Sequence, residues 1–183
     1  MGCQFPRQGW PISGIITPLY PLVGNPVPHE FDRADRRLLL ALQDDARLTT
    51  AQLAEQVALS PSPCWRRVKA LESAGVIRGY HARLDAVRLG WGVTAFVHIM
   101  LENHRRDLGE RFEQAVRGME RVIACHNVSG EYDYLLQVVA HDLQDFGEFA
   151  RDVLRALPGV KEINSSLSLR EVKSGPDLPV PEL

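Results

Sequence analysis

The side chains best suited to chemistry in this chain are cationic and hydroxyl groups at helical spacing within residues 60–73. At about 100° per residue, a helix here separates two faces: Cys64, Val68 and Leu71 on one, and Ser62, Trp65, Arg66, Lys69 and Ser73 on the other. Arginine matches guanine edges in the major groove, and lysine or serine binds phosphates. The polar face therefore predicts contact with double-stranded DNA, although charge alone favours a solvated surface helix.

Two short helices joined by a tight turn must position this face. Thr49 begins the first, because its hydroxyl can cap the backbone while Gln52 reaches back in a capping box. We expect this helix to end near Ala58. The second begins at Ser60 with Pro61 in its first turn, where the missing amide hydrogen has no internal partner to lose.

A further helix precedes this pair in FDRADRRLLLALQDDARL, with Asp32 as its predicted cap. Three helices of this order make the compact unit of a DNA-reading helix-turn-helix. The predicted DNA-contacting residues are Thr49, Ser60, Ser62, Trp65, Arg66, Arg67 and Lys69. For Trp65 a second interpretation stays open, since its ring can also lie against the aliphatic stem of Lys69.

Composition and charge bound the class of protein. The 183 residues are 45% hydrophobic, which is ordinary for a globular chain with one or two cores. The net charge of −2 is uneven, because residues 32–80 carry eight Lys/Arg against six Asp/Glu, and residues 107–183 carry eight against fourteen. This balance excludes a histone-like coat on nucleic acid and confines the predicted DNA contact to the front of the chain.

The remaining composition signals concern compartment and chemistry. Three widely spaced cysteines indicate neither a disulfide framework nor a zinc site, so we expect a reducing, cytoplasmic location and no metal. Residues 1–30 hold six prolines, lack the order of a secretory signal and are interrupted too often to span a bilayer; we predict a flexible extension and no membrane partner. Adjacent Cys125 and His126 fall on opposite faces of a strand, so no catalytic residue is predicted.

After a predicted linker at 78–92, the hydrophobic period changes. Strands are predicted over Val93–Leu101, VIACHNV, DYLLQVV and within Val160–Val172, and helices over DLGERFEQAVRGM and DLQDFGEFARDVLRALPG. The order βαββαβ predicts an antiparallel sheet with both helices on one face. A second copy of the chain is the simplest cover for the other face, so a homodimer is expected.

Taken in order, several segments resemble the Lrp/AsnC (feast/famine) family of transcription regulators, closest to its Lrp-like branch, over roughly residues 30–175. They are FDRADRRLLLALQDDAR, LSPSPCWRRVKALESAGVIRGYHARLD, CHNVSGEYDYLL and LPGVKEINSSLSLREVK. The resemblance implies an α+β protein: an N-terminal three-helix (winged) helix-turn-helix at 31–77, and a ferredoxin-like βαββαβ domain at 93–173 that binds an effector and forms oligomers, with a tail at 174–183. It also implies homodimers, a higher homo-oligomer such as an octamer, and control by a small effector, usually an amino acid, with no other cofactor.

The GEYDY segment, residues 130–134, is the predicted start of the effector site. Gly130 lets the backbone turn closely, so that free amides can point at a carboxylate. Glu131 or Asp133 can pair with an ammonium group. The resemblance implies that the effector lies near this loop at an interface between subunits, with the last strand close by. The effector candidates are therefore Gly130, Glu131, Tyr132, Asp133, Ser165, Ser166 and Ser168. Without the resemblance, a plain hairpin turn with a tyrosine in the core is favoured.

Two alternatives to a DNA-binding regulator remain. Siroheme decarboxylases resemble the same two-domain architecture and use it as an enzyme, but no histidine cluster stands out as a tetrapyrrole site and the cationic helix face favours DNA. An amino-acid sensor that acts through its second domain alone is the other alternative. Conversion of siroheme by the purified protein would favour the enzyme, and failure to retain any genomic DNA fragment would favour the sensor.

Overall fold

The computed structural model describes residues 31–103, 105–173 and 178–181. These form two compact units, residues 31–79 together with 178–181, and residues 80–173. The predicted extension at 1–30 lies outside the described residues, as do parts of the predicted tail.

Three helices build the first unit: α1 (Arg33–Asp44), α2 (Thr50–Gln56) and α3 (Pro61–Ser73). Asp32 caps α1 in a complete capping box, because its carboxylate accepts the amide hydrogens of Ala34 and Asp35 at 2.8 Å and Asp35 bonds back to the Asp32 amide. Thr49 and Gln52 make the same arrangement on α2. The predicted helix order and caps are confirmed.

The turn between α2 and α3 requires an unusual backbone. Ala58 has φ of 56°, in the left-handed region that residues with a Cβ seldom adopt. The helix ends before this residue, two positions earlier than expected from sequence. The inward sides of all three helices then meet in one apolar core: Leu38, Leu53, Ala54, Val57 and Cys64, with Leu42, Leu48, Leu59 and Val68 packed against it. Leu71 is fully buried as well.

The second unit contains β1 (Val93–Leu101), α4 (Arg106–Arg117), β2 (Val122–Asn127), β3 (Tyr134–Ala140), α5 (Leu143–Asp152), a 3-10 turn (Leu154–Ala156) and β4 (Val160–Leu167). The strands form one antiparallel sheet in the order β2-β3-β1-β4. The two central strands, β1 and β3, are neighbours in the sheet but not consecutive in the chain, as split βαβ crossovers require. The predicted βαββαβ order is confirmed.

Alternation along the central strands sets the core on one face of the sheet. Ala95, Val97 and Ile99 of β1 are fully buried with their partners on β3, and Phe112 of α4 and Phe149 of α5 pack into the same cluster. The opposite face of the sheet leaves apolar area exposed to solvent, since Phe96 is 38% exposed. The sheet thus has one filled face, and the described residues of this unit leave the other face uncovered.

The end of α5 also departs from the sequence expectation. The helix predicted across DLQDFGEFARDVLRALPG stops at Asp152, and Val153 has φ of −111°. A tighter 3-10 turn follows, and it buries both Leu154 and Leu157 beneath the sheet.

Candidate functional site

The outer face of α3 presents the cationic and aromatic side chains that the sequence singles out. Trp65 is 53% exposed and Arg66 is exposed beside it. Arg66 makes no hydrogen bond or ion pair within the described part of the chain. Cys64 and Leu71, on the inward face, are completely buried. The packing of α3 therefore fixes its rotation so that Trp65 and Arg66 face solvent.

Lys69 lies on the same outer face, one helical turn after Trp65. Its ammonium Nζ pairs with the carboxylate of Glu72 at 2.6 Å, and its side chain remains 54% exposed. An exposed pair of this kind contributes little to stability, typically below about 1 kcal/mol. Lys69 can therefore exchange this partner for a phosphate at small cost.

Arg67 is among the predicted DNA contacts, but its guanidinium is directed at the start of α1. Its Nη1 lies 2.9 Å from Oδ1 of Asp35 and 2.6 Å from Oδ2 of Asp32, both at the start of α1. Asp35 is the one charged or polar side chain that is buried in the described residues. The amide of Asp35, together with Arg67, lowers the pKa of Asp32. The guanidinium of Arg67 thus forms ion pairs that join α3 to the start of α1.

The hydroxyl candidates around the turn differ in their freedom. Thr49 is occupied by its capping box, where Oγ1 donates to Gln52 Oε1 at 2.8 Å. Ser60 occupies the cap position of α3 without a side-chain capping bond, and Ser62 is exposed in its first turn. Ser60 and Ser62 therefore have hydroxyl groups available beside Trp65 and Arg66, whereas the Thr49 hydroxyl serves the start of α2.

In the second unit, the GEYDY loop joins β2 to β3. Gly130 has φ of 122°, and a Cβ there would meet no atom within 4 Å, so the loop needs glycine for its backbone and not for space. Asp133 closes the loop: its amide donates to the Ile99 carbonyl at 2.9 Å, and its Oδ2 accepts the Leu101 amide at 2.8 Å. These bonds tie the predicted effector loop to the end of β1.

A cavity of about 440 Å³ adjoins this loop, between the end of β1 and the first turns of α4. Its floor includes Tyr134, whose phenol donates to the Glu113 carboxylate at 3.1 Å. Burial, and then Glu113, raise the pKa of Tyr134, so the phenol stays protonated. The lining is mixed in charge: Leu101, Asn103, Arg105, Arg106, Gly109, Glu110, Glu113, Asn127, Asp133 and Tyr134.

Of the predicted effector residues, only Asp133 borders this cavity. Gly130 and Glu131 are exposed on the loop, and Tyr132 packs its ring against His98, with centroids 5.1 Å apart. Ser165 and Ser166 pair with Val97 and Phe96 in the middle of β1, and the Ser168 amide donates to the Thr94 carbonyl near its start, so the serines lie away from the end of β1 that holds the loop. Within one chain, the structure does not bring these serines to the GEYDY loop.

Sequence reasoning missed the α4 side of the cavity. Arg106, Glu110 and Glu113 are spaced i, i+4, i+7 and so share one helix face. That spacing was visible, but nothing in the sequence says that this charged face meets the end of β1. The sheet order provides that information.

Cysteine and metal chemistry find no support in the described residues. Cys125 is exposed, but desolvation by the atoms around its thiol, and then Glu113, raise the pKa of Cys125 to about 11, so the thiol stays protonated near neutral pH. Among the residues with described coordinates, no three His, Cys, Asp or Glu side chains are grouped closely enough to hold a metal. No helix in the described ranges is long and apolar enough to cross a membrane.

Together, these features define a class. A three-helix unit presents one helix with a cationic outer face, and a split βαβ sheet domain with a polar cavity follows it in the chain. This is the organisation of a DNA-binding regulator that carries a separate ligand-binding domain.

Comparison with known proteins gives the family. Residues 31–78 match a winged helix-turn-helix DNA-binding model, and residues 94–178 match the Lrp/AsnC ligand binding domain. The chain belongs to the Lrp/AsnC family of DNA-binding transcriptional regulators.

Three relatives illustrate the match. The chain is 38% identical to the transcriptional activator DecR of Escherichia coli over 81% of this chain and 98% of that protein. It is 38% identical to the leucine-responsive regulatory protein of the same species, over 79% of this chain and 88% of that one. A Neisseria meningitidis regulator, solved in complex with L-Met, is 40% identical and superposes with a TM-score of 0.78 over 81% of this chain and 96% of that chain.

Proposed function

We propose that this regulator reads operator DNA with the outer face of α3, through Trp65, Arg66 and Lys69, assisted by Ser60 and Ser62. The observation that carries the proposal is the contrast between adjacent arginines: Arg66 faces solvent without a partner among the described residues, whereas Arg67 forms ion pairs with two carboxylates. A helix that commits one cation to its own domain and leaves the next outside is suited to hold a phosphate or a guanine edge.

Two copies of the chain give this surface its specificity. The uncovered face of the sheet, which includes the exposed ring of Phe96, supports a homodimer formed through the second unit. A dimer presents two α3 helices to major grooves one turn apart, about 34 Å. We therefore expect a near-palindromic operator, with assembly beyond the dimer, to an octamer for example, through the same domain.

The effector is an amino acid bound in the cavity beside Asp133. The relative from Neisseria was solved with L-Met, and the relative from Escherichia coli is named for leucine. In this chain, Glu113 and Glu110 face the cavity from α4 and suit an ammonium group, whereas Arg105 and Arg106 at its rim suit a carboxylate. Occupancy would favour one arrangement of the protein and thereby change operator affinity.

The DNA proposal is tested with the double variant Arg66→Ala/Lys69→Ala. Genomic fragments retained by the wild-type protein serve as operators in gel-shift titrations. We expect the variant to lose at least about tenfold in affinity, since an arginine contact to a base or phosphate contributes about 1–3 kcal/mol. The oligomeric state, measured by light scattering, stays that of the wild type.

The matched control is Arg151→Ala, which removes an exposed arginine from α5. It leaves operator affinity unchanged if contact is confined to α3. Equal affinity of the wild type and the double variant would refute the assignment. Failure of the wild-type protein to retain any genomic fragment would instead favour a sensor without DNA binding.

The effector proposal is tested with Glu113→Gln, which removes a charge from the cavity and keeps an acceptor for the Tyr134 phenol. Calorimetric titration with L-methionine and L-leucine should show about tenfold weaker binding in the variant, because the ammonium loses its ionic partner. Glu148→Gln, an exposed change on α5, is the control. Unaltered binding in Glu113→Gln would place the effector outside this cavity.

A further inference from the structure

The last described residues of the chain contact the DNA-binding unit. Leu178–Pro181 belong with α1, although they follow the ligand-binding domain in sequence. The side-chain amide of Gln43 holds the main chain of Leu178 from both sides: the Leu178 amide donates to Oε1 at 2.8 Å, and Nε2 donates to the Leu178 carbonyl at 3.1 Å. Three residues later, Arg36 Nε donates to the Pro181 carbonyl at 3.2 Å.

The spacing of these contacts matches a helix to an extended chain. Arg36 and Gln43 are seven residues apart on one face of α1, a rise of about 10.5 Å at 1.5 Å per residue. Leu178 and Pro181 are three residues apart, about 9.3 Å in an extended proline-type helix. The segment therefore runs antiparallel to α1 with its carbonyls in register with the two donors. Val180 is partly buried, whereas the other three residues of the segment are exposed.

Proline content favours this type of contact. Pro179 and Pro181 have restricted φ and no amide hydrogen, so the segment is stiff and offers mainly carbonyl acceptors. A stiff segment loses less conformational entropy on docking than a flexible one. Leu40, 40% exposed between Arg36 and Gln43 on the same face of α1, adds apolar area to the surface.

We propose that residues 178–181 are a strap that docks on α1 and carries the state of the ligand-binding domain to the DNA-binding unit. The chain between Gln43 and Leu178 includes all of that domain, so docking closes a loop through it. A change in the ligand-binding domain then reaches α1 by pulling on or releasing the strap. This regulatory part of the proposal rests on the proposed function; the docking itself does not.

Docking is tested in the full-length chain by NMR with ¹⁵N-labelled leucine. In the wild type, the Leu178 amide should behave as ordered backbone, with a positive heteronuclear NOE. Gln43→Ala removes both bonds to Leu178 from an exposed helix position, and a sharp Leu178 signal with a low or negative NOE should then appear. Gln144→Ala, the same substitution on α5, is the control and leaves Leu178 unchanged. A sharp, mobile Leu178 signal already present in the wild type would overturn the strap.

Coupling is tested by operator titrations with and without L-methionine or L-leucine. If the wild-type affinity changes about tenfold with the amino acid, Gln43→Ala should reduce that change to about twofold or less, while amino-acid binding and the affinity without effector stay as they are. An undiminished response in Gln43→Ala would overturn the coupling. A wild type that responds to neither amino acid would overturn the coupling together with the effector proposal, whereas the NMR result would still decide docking.

Discussion

Arg66 and Arg67 are adjacent in sequence, and the structure predicts opposite consequences for replacing them with alanine. Arg67→Ala leaves Asp35, whose side chain is 10% exposed, without its guanidinium partner. Removal of one partner from a fully buried pair costs about 3–5 kcal/mol, and from an exposed pair below about 1 kcal/mol. Because Arg67 is 36% exposed, we expect an intermediate loss of about 2 kcal/mol in the free energy of unfolding.

Arg66→Ala, in contrast, removes no contact within the described chain and should change stability by less than about 0.5 kcal/mol. It should weaken operator binding by about 2 kcal/mol, roughly thirtyfold, and lower the slope of log affinity against log salt by about one. Arg67→Ala leaves this salt slope unchanged once the protein is folded, because Arg67 contacts no phosphate in the proposed complex.

Urea unfolding followed by circular dichroism, and gel-shift titration at several salt concentrations, measure the two effects separately. Arg67→Lys retains a cation between the two carboxylates and should recover about half of the lost stability. Equal stability of Arg66→Ala and Arg67→Ala would refute the structural role of Arg67. A salt slope that falls in Arg67→Ala, and not in Arg66→Ala, would reverse the assignment of the two side chains.

Two other predictions concern the second unit. Gly159→Ala should destabilise this unit by about 2–4 kcal/mol in thermal unfolding, because φ is +71° and the new Cβ would lie 2.4 Å from the Leu108 side chain. Gly147→Ala is the control: a Cβ at this position on α5 meets no neighbouring atom, so the change should be neutral or stabilising by up to about 1 kcal/mol. A loss of stability in Gly147→Ala as large as that in Gly159→Ala would contradict the packing argument. The amide of His141 is the main group that lowers the pKa of Asp145 below 3.8, so the carboxylate contributes stability above that pH and loses it as pH falls through the folded pKa. The stabilities of Asp145→Asn and the wild type should therefore converge in acid. A difference in stability that widens below about pH 4 would refute this prediction.

Local patterns in the sequence were sufficient for the elements and most caps. Asp32 and Thr49 were predictable as caps because each is followed three residues later by a side chain that can reach back. The hydrophobic period located the four strands and two helices of the second unit, although α5 ends at Asp152, before the predicted stop at Pro158 and Gly159. The hydrophobic period does not show which partner each polar side chain contacts.

The candidate site shows this limit in two residues. The sequence pattern does not distinguish Arg67 from Arg66, since both are arginines on the same short helix. Only the packing of α3 against α1 shows that Arg67 forms ion pairs with Asp32 and Asp35. Glu113 belongs to the cavity through the sheet order, which sets α4 beside the end of β1. Both assignments depend on contacts between residues that are distant in the chain, and a single sequence does not encode these in any local spacing.

Photocrosslinking from the outer face of α3 shows whether this helix contacts operator DNA. A benzoylphenylalanine replaces Trp65, which is 53% exposed, and the full-length protein is irradiated on a retained genomic fragment. If α3 reads the operator, a covalent adduct forms in the major groove of each half-site, and no adduct forms when the same photoreactive residue replaces Arg151. Specific binding of the fragment without an adduct from position 65, or with an adduct from position 151, would contradict it.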